Sequence, residues 1–383
     1  MRRTATLISF LAAAAPAAAH HTGTPPVVRI TWSGDNSLPR FPSFTDTLAL
    51  VGPGPSPSIY SLRLFDRPDI VTPVSAGGNN ANPAASPRAI AFDSDGDPLA
   101  SGDPGRQVFV RAGGALLQMT HDPTGTSANP ALNYFGNLLA FESAGDLAGR
   151  GSLGTVQVYL RDADGGPVVQ LSRGQGTSRN PSLSRGGTTI AFDSTSDPAT
   201  GIDTGISQIW LSSTDPATSH PITAGNGPSR NPLVSNRGRI LVFESEADLA
   251  SGGANTGIPQ IFAYDLMSGN FAQVTQDPSG CTGASALKRA GDWRIAFTCA
   301  GQGFYHDLRA DRRYRLPIDG GDTNHVVAGA GFYFLTVCTT ANLLGTGTTA
   351  GHEIYLFNLY KRPAEPVSGS AVWFPARGLR PLR

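Results

Sequence analysis

The chain has 383 residues, with 29 Lys and Arg matched by 29 Asp and Glu, so its formal net charge is zero. Charged residues make up only 15%, while Gly (46) and Pro (30) are abundant. That balance excludes a basic nucleic-acid surface and a polybasic membrane patch, and no stretch reaches the roughly 18 to 20 consecutive apolar residues of a membrane span.

In chain order, the first feature is a leader. Met1-Arg2-Arg3, an apolar stretch from Leu7 to Ala15, and Pro16-Ala17-Ala18-Ala19 ahead of His20 have the order of a secretory signal peptide over residues 1–19. The mature protein is therefore expected to be periplasmic or secreted and monomeric, with no transmembrane anchor. No Cys follows the cleavage point to carry a lipid. Residues 20–370 read as one domain and 371–383 as a C-terminal tail.

From there on, short apolar runs alternate with Gly, Pro, Ser, Thr and Asn, which predicts short strands joined by tight turns. No amphipathic segment of helical period exceeds about two turns. Thr47 to Val51 and Ile59 to Leu62 give the first strand pair. Four units in register follow, each running from Asn-Pro to an apolar-Phe-acid triplet: Asn82-Pro83 to Phe92-Asp93, Asn129-Pro130 to Phe141-Glu142, Asn180-Pro181 to Phe192-Asp193, and Asn231-Pro232 to Phe243-Glu244. The aromatic recurs at a step near 50 residues, and each unit goes on to a third strand such as Gln157 to Leu160, Gln208 to Leu211 or Gln260 to Ala263. A fourth follows, as at Val168 to Ser172. Weaker copies include Arg294 to Phe297, Phe332 to Val337 and Glu353 to Leu356. Four short strands per unit is the content of a propeller blade, and one blade cannot bury both its faces alone. The fold class is an all-β propeller; the strand count favours seven blades, with six if the first unit is irregular. Either Val27 to Thr31 or Pro363 to Ser368 closes the ring, and the sequence leaves both open.

The pattern Asn-Pro-x-x-Ser-x-x-Gly-x-x-Ile-Ala-Phe, clearest from Asn180 to Phe192, resembles the TolB-type, WD40-like (PD40) repeats of exported bacterial propellers. The resemblance covers about residues 75 to 300. It implies the fold, and it spans binding proteins, translocation factors and non-catalytic domains of peptidases.

Several residue sets are candidates for chemistry. Asn129, Asn180 and Asn231, with Asn82, would ring one mouth of the axial channel and could meet a polar ligand, with Arg179 and Arg230 selecting an anionic group. A rule repeated in every blade also serves folding, since Pro and Asn together set the chain into the strand. Asp93, Asp95 and Asp97 have the acid density of a calcium loop, although the corresponding loops place Gln208 and Gln260 where a last carboxylate would stand. Calcium is the one metal considered, and no cofactor is expected. Cys281 and Cys299 face each other if their hairpin turns near Ala290, so a disulfide is expected there; Cys338 has no evident partner and reads as a buried thiol. No Gly-x-Ser-x-Gly elbow or His-Glu-x-x-His helix is present. The reading is therefore a non-enzymatic module whose top-face loops bind an envelope or extracellular protein, or a glycan. The alternative is a lyase or hydrolase in which His121, His220, His325 and His352 meet acids over the channel.

Overall fold

A short strand satisfies its backbone polar groups only by pairing with neighbours. The computed structural model describes residues 27–29, 37–40, 47–52, 57–63, 67–74, 77–197, 200–250, 257–286, 294–318, 320–328, 334–344, 351–358 and 365–366. In it the strands form six four-stranded antiparallel sheets and one five-stranded sheet. The leader at 1–19, the tail at 371–383 and the turn near Ala290 lie outside the described residues.

The first strand, β1 (Val27–Arg29), belongs to the last blade. Blade 1 is β2 (Ser37–Arg40), β3 (Thr47–Gly52), β4 (Ser58–Arg63) and β5 (Arg67–Pro73). Blade 2 is β6 (Asn80–Ala85), β7 (Ala89–Ser94), β8 (Gln107–Ala112) and β9 (Ala115–Gln118). Blade 3 is β10 (Ala128–Leu132), β11 (Leu138–Ser143), β12 (Gln157–Asp162) and β13 (Gly165–Gln170). Blade 4 is β14 (Ser178–Leu183), β15 (Ile190–Ser196), β16 (Asp203–Ser212) and β17 (His220–Pro221), and blade 5 is β18 (Ser229–Val234), β19 (Ile240–Ser245), β20 (Gln260–Asp265) and β21 (Asn270–Gln273). Blade 6 is β22 (Cys281–Ala286), β23 (Arg294–Cys299), β24 (Gln302–Asp307) and β25 (Arg312–Arg315), with β29 (Glu365–Pro366) outside it. Blade 7 is β26 (Thr323–Ala328), β27 (Phe334–Thr339) and β28 (Glu353–Asn358), completed by β1. Each sheet packs on the next, and β2 of blade 1 meets β26, β27 and β28 of blade 7, so the sheets close into a propeller ring. Among the described residues the one helical element is a single 3-10 turn at Pro216–Thr218.

Both segments that competed for ring closure form strands, in different blades. Val27, Val28 and Arg29 pair with Phe357, Leu356 and Tyr355. Glu365 and Pro366 pair with Arg315 and Tyr314 as the fifth strand of blade 6.

The repeated Phe explains why the sheets stack. In blades 2 to 6 it sits opposite an aromatic on the third strand: Phe92 with Phe109, Phe141 with Tyr159, Phe192 with Trp210, Phe243 with Phe262, and Phe297 with Phe304. The ring centroids lie 5.7 to 6.3 Å apart and the planes are nearly parallel. Full burial of each Phe contributes about 2 to 3 kcal/mol against neighbouring blades.

Candidate functional site at the axial mouth

The Asn-Pro pairs do not precede the innermost strand as a turn; they lie inside it as a bulge. In blade 3 the register runs from Ala128 opposite Glu142 to Ala131 opposite Ala140, so Asn129 and Pro130 together face Phe141. The same two-against-one arrangement recurs at Asn82-Pro83, Asn180-Pro181 and Asn231-Pro232. Proline has no N–H to give the ladder and so fits where the ladder is interrupted. The Asn residues sit at φ of 47 to 56°, the left-handed region that Asn tolerates better than most side chains. Blade 6 keeps the bulge with Gly283, at φ 66°, in place of Asn. In blade 1 the backbone register gives Leu38-Pro39 the same place.

The bulge turns each Asn amide toward the acid that follows the Phe, and the acid also reaches the next blade. The Asp93 carboxylate accepts from Asn82 Nδ2 at 2.8 Å and from the backbone N–H of Asn129 at 3.0 Å. Glu142 accepts from Asn129 Nδ2 and the Asn180 N–H, both at 2.6 Å. Asp193 accepts from Asn180 Nδ2 at 2.8 Å and the Asn231 N–H at 3.0 Å, and Glu244 from Asn231 Nδ2 at 3.1 Å and the Gly283 N–H at 2.9 Å. Four successive joints between blades are latched in this way. The amide of Asn129 additionally donates to Asn180 Oδ1 at 3.2 Å.

Burial pushes Glu142, Asp193 and Glu244 above the usual carboxylate range, against the opposing effect of these hydrogen bonds. Arginines supply counter-charge: Arg106 pairs with Asp93, and Arg179 Nη1 lies 3.3 Å from Glu142. Arg230 is exposed and acts on both Asp193 and Glu244. The acids span only blades 2 to 5, because the residue after the corresponding apolar position is Thr298 in blade 6, Cys338 in blade 7 and Val51 in blade 1. The mouth thus has a polar arc and a neutral arc.

The other sequence candidates are distributed differently. Asp95 accepts from the Asn79 N–H at 2.6 Å and from its Nδ2 at 2.8 Å, while Asp97 accepts from the N–H groups of Ser101 and Gly102 at 2.7 and 2.8 Å. Among the described residues the three acids at 93, 95 and 97 do not form a common ligand set. The group that does come together, Asp277 with Cys281 and Cys299, has its two sulfurs joined at 2.02 Å. Cys338 is buried, which pushes its thiol up to about 12. His121 bonds Asp103 at 2.7 Å beyond β9, His220 is on the outer strand β17, and His325 and His352 belong to blade 7. The four are spread over three blades.

A repeated Gln escaped the sequence reading as a positive signal. Gln107, Gln157 and Gln260 open the third strand and Gln208 holds the equivalent place within the longer β16; each accepts through Oε1 from Thr120, Ser172, Thr275 or Thr223, at 2.6 to 2.8 Å. Each Nε2 donates to backbone carbonyls of the connection leaving the blade, such as Asp122, Gly176, Gly225 and Asp277. The recurrence of Gln with Thr or Ser at 13 to 15 residues further on was visible in the sequence.

In blades 2 to 4 the second strand ends beside the Asn bulge, so its connection to the third strand starts from the mouth side. Asp97, Asp146 and Asp197 fold them alike, Asp146 accepting from the Arg150 and Gly151 N–H groups at 2.7 and 2.8 Å and Asp197 from Thr200 at 2.7 Å. Next to two of these turns stand Leu153 (67% exposed) in blade 3 and Ile202 (55%) in blade 4, with Ile206 exposed in β16; Leu344 is exposed in blade 7.

No family model matches the chain, and no curated protein matches its sequence. Among solved structures it is similar to an oligogalacturonate lyase from Vibrio parahaemolyticus, at 12% identity and TM-score 0.60 over 87% of this chain and 93% of that one. It is also similar to the β-propeller domain of the Trilobed protease from Pyrococcus furiosus, at 10% identity and TM-score 0.58 over 88% and 98% of the two chains. TolB from Acinetobacter baumannii matches at 12% identity and TM-score 0.47, over 86% of this chain but only 65% of that protein. What the lyase and the protease domain share with this chain is the fold: it is a β-propeller.

Proposed function

We propose that this protein is an exported propeller of PD40-type repeats that binds a partner through its mouth-side connections. The observation that carries this is the placement of large aliphatic side chains in two neighbouring blades: Leu153 and Ile202 stand exposed on the connections of blades 3 and 4, each beside a turn folded by its own aspartate, with Ile206 exposed near the start of β16. Apolar side chains gathered on one face mark an interaction surface, and a pre-folded loop loses little entropy on binding. A protein partner suits such a rim better than a glycan. The mouth acids support a scaffold role, because each is engaged by an Asn of its own blade and an N–H of the next. Export rests on residues 1–19, and N-terminal sequencing of the mature chain should begin at His20.

The test is capture from envelope extract by the mature chain and by its Leu153→Lys/Ile202→Lys variant, both positions being exposed. The expected result is a protein retained by the former and lost by the latter. A captured partner indifferent to the variant, or retention of glycans alone on an array, overturns the reading.

A further inference from the structure

The outermost strand of a propeller blade is a sheet edge, with a row of N–H and C=O groups open to pairing, and natural sheets blunt such edges with proline, charge or cover. Most outer strands here carry a device of that kind. Proline stands in β5, β13 and β17, β5 and β25 are charged, and β1 ends on Arg29, while β21 has neither proline nor charge but buries Ala272 and Gln273. The edge of β25 is covered outright by β29, which pairs antiparallel with it.

The outer strand of blade 2 differs. β9 reads Ala115-Leu116-Leu117-Gln118, without proline, glycine or charge, and it is the last strand of its sheet. Ala115 is exposed, as is Leu117 at 37%. β9 forms one wall of a cleft of about 320 Å³ between blades 2 and 3, with Leu99 and Met119 adding apolar surface and His121 and Asp164 polar groups. Leu99 reaches this cleft because its connection is tied to the outer edge: Asp103 accepts from Gln118 Nε2 at 2.7 Å and bonds His121. No Lys or Arg lines the cleft, so Asp164 is the charged side chain a ligand would meet there.

We infer that β9 is a strand-addition site for an extended peptide segment of a partner protein. The segment would alternate aliphatic residues, which pack on Leu99 and Leu117, with a Lys or Arg opposite Asp164. The docking mode is the one the chain itself uses where β29 covers β25, and main-chain hydrogen bonds would supply affinity while alternate side chains supply specificity. The site is on the outer rim and is independent of the mouth-side reading.

The experiment is selection of 12-residue peptides displayed on phage against the full mature chain. Enriched peptides are then titrated against Leu117→Lys, Asp164→Lys and Leu153→Lys variants whose folding is checked by circular dichroism. Expected are peptides with alternating aliphatic residues and a basic residue. Their affinity should fall at least tenfold in Leu117→Lys and in Asp164→Lys and stay unchanged in Leu153→Lys, and amide exchange across Ala115–Gln118 should slow when they bind. No enrichment, or enriched peptides indifferent to Leu117→Lys, overturns the inference. Peptides lost only with Leu153→Lys would do so too, while favouring the mouth-side surface.

Discussion

At the residue scale, buried titratable groups pull the stability of this protein in opposite directions with pH. Glu142, Asp193 and Glu244 are raised by burial, so the folded state holds their protons more tightly than the unfolded chain does. Their contribution is fully present below the ordinary carboxylate range and is lost as pH rises through the raised values. His306 works the other way. It is fully buried on β24, has no hydrogen-bond partner among the described residues although Asp311 lies 3.5 Å from its Nε2, and is held down to about 4 by burial and by Arg313. The unfolded chain therefore takes up a proton near pH 6.5 that the folded protein refuses until about 4, and stability falls as pH drops across that window. Asp122 adds a third limb: burial pushes it up, but hydrogen bonds from Thr124, Thr126 and Ser143 more than reverse this and hold it at about 2. What it contributes is present above pH 3.8 and lost as pH falls through 2. His306→Leu isolates the middle limb. Comparing urea midpoints at pH 7.5 and 4.5, the variant should gain about 2 to 3 kcal/mol relative to the wild type on acidification, whatever it costs in packing. Equal shifts in both proteins would show that His306 charges freely in the fold.

At the element scale, the repeat shows what one blade does when it loses its latch. The pair of residues opening the first hairpin is joined by a hydrogen bond in three blades: Ser178 with Ser194 at 2.8 Å, Ser229 with Ser245 at 2.9 Å, and Thr323 with Thr339 at 3.3 Å. In blade 6 the directly paired residues are Cys281 and Cys299, joined by a disulfide, in the same blade where Gly283 replaces Asn and Thr298 replaces the acid. A covalent link there closes a loop of sequence separation 18, a constraint on the unfolded chain of about 3 kcal/mol. The Cys281→Ser/Cys299→Ser double variant recreates the Ser pair of blades 4 and 5 and recovers about 1 kcal/mol. The expected net loss is about 2 kcal/mol, read as a lower urea midpoint, and reductant during unfolding should bring the wild type down by at least as much. This pairing was legible, because two cysteines equidistant from a hairpin turn must meet. The bulge was not: Asn-Pro predicts a turn into the strand, since proline argues against a strand interior until the unpaired position inside a bulge is considered.

For the whole molecule, the repeated Phe at a step near 50 residues carried the ring, because that spacing holds four short strands and each Phe needs a neighbouring blade to cover it. The mouth was only half legible. The Asn and acid positions were visible, but their joint use across the blade boundary depends on which N–H the bulge turns outward, and no single unit contains both partners. Blade 1 was legible only as its middle pair, since Leu38-Pro39 carries the bulge without the Asn that marks it elsewhere. Closure shows the limit most clearly: either chain end could enter one slot, and the two entered different slots. Among the described residues β1 is the strand by which the N-terminal end of the chain hydrogen-bonds into blade 7, adding a fourth strand to three from the C-terminal end. Removing it would leave β28 as an open edge and separate blade 7 from the covalent start of the ring. A chain beginning at Trp32 should therefore unfold at a lower temperature than one beginning at His20 and should self-associate through β28 on gel filtration. Adding a peptide of residues 20–31 should restore both properties, because the register at Val27 to Arg29 is set by main-chain pairing with Tyr355 to Phe357. A shortened chain that stays monomeric with unchanged melting would mean that the contact of β2 with blade 7 closes the ring by itself.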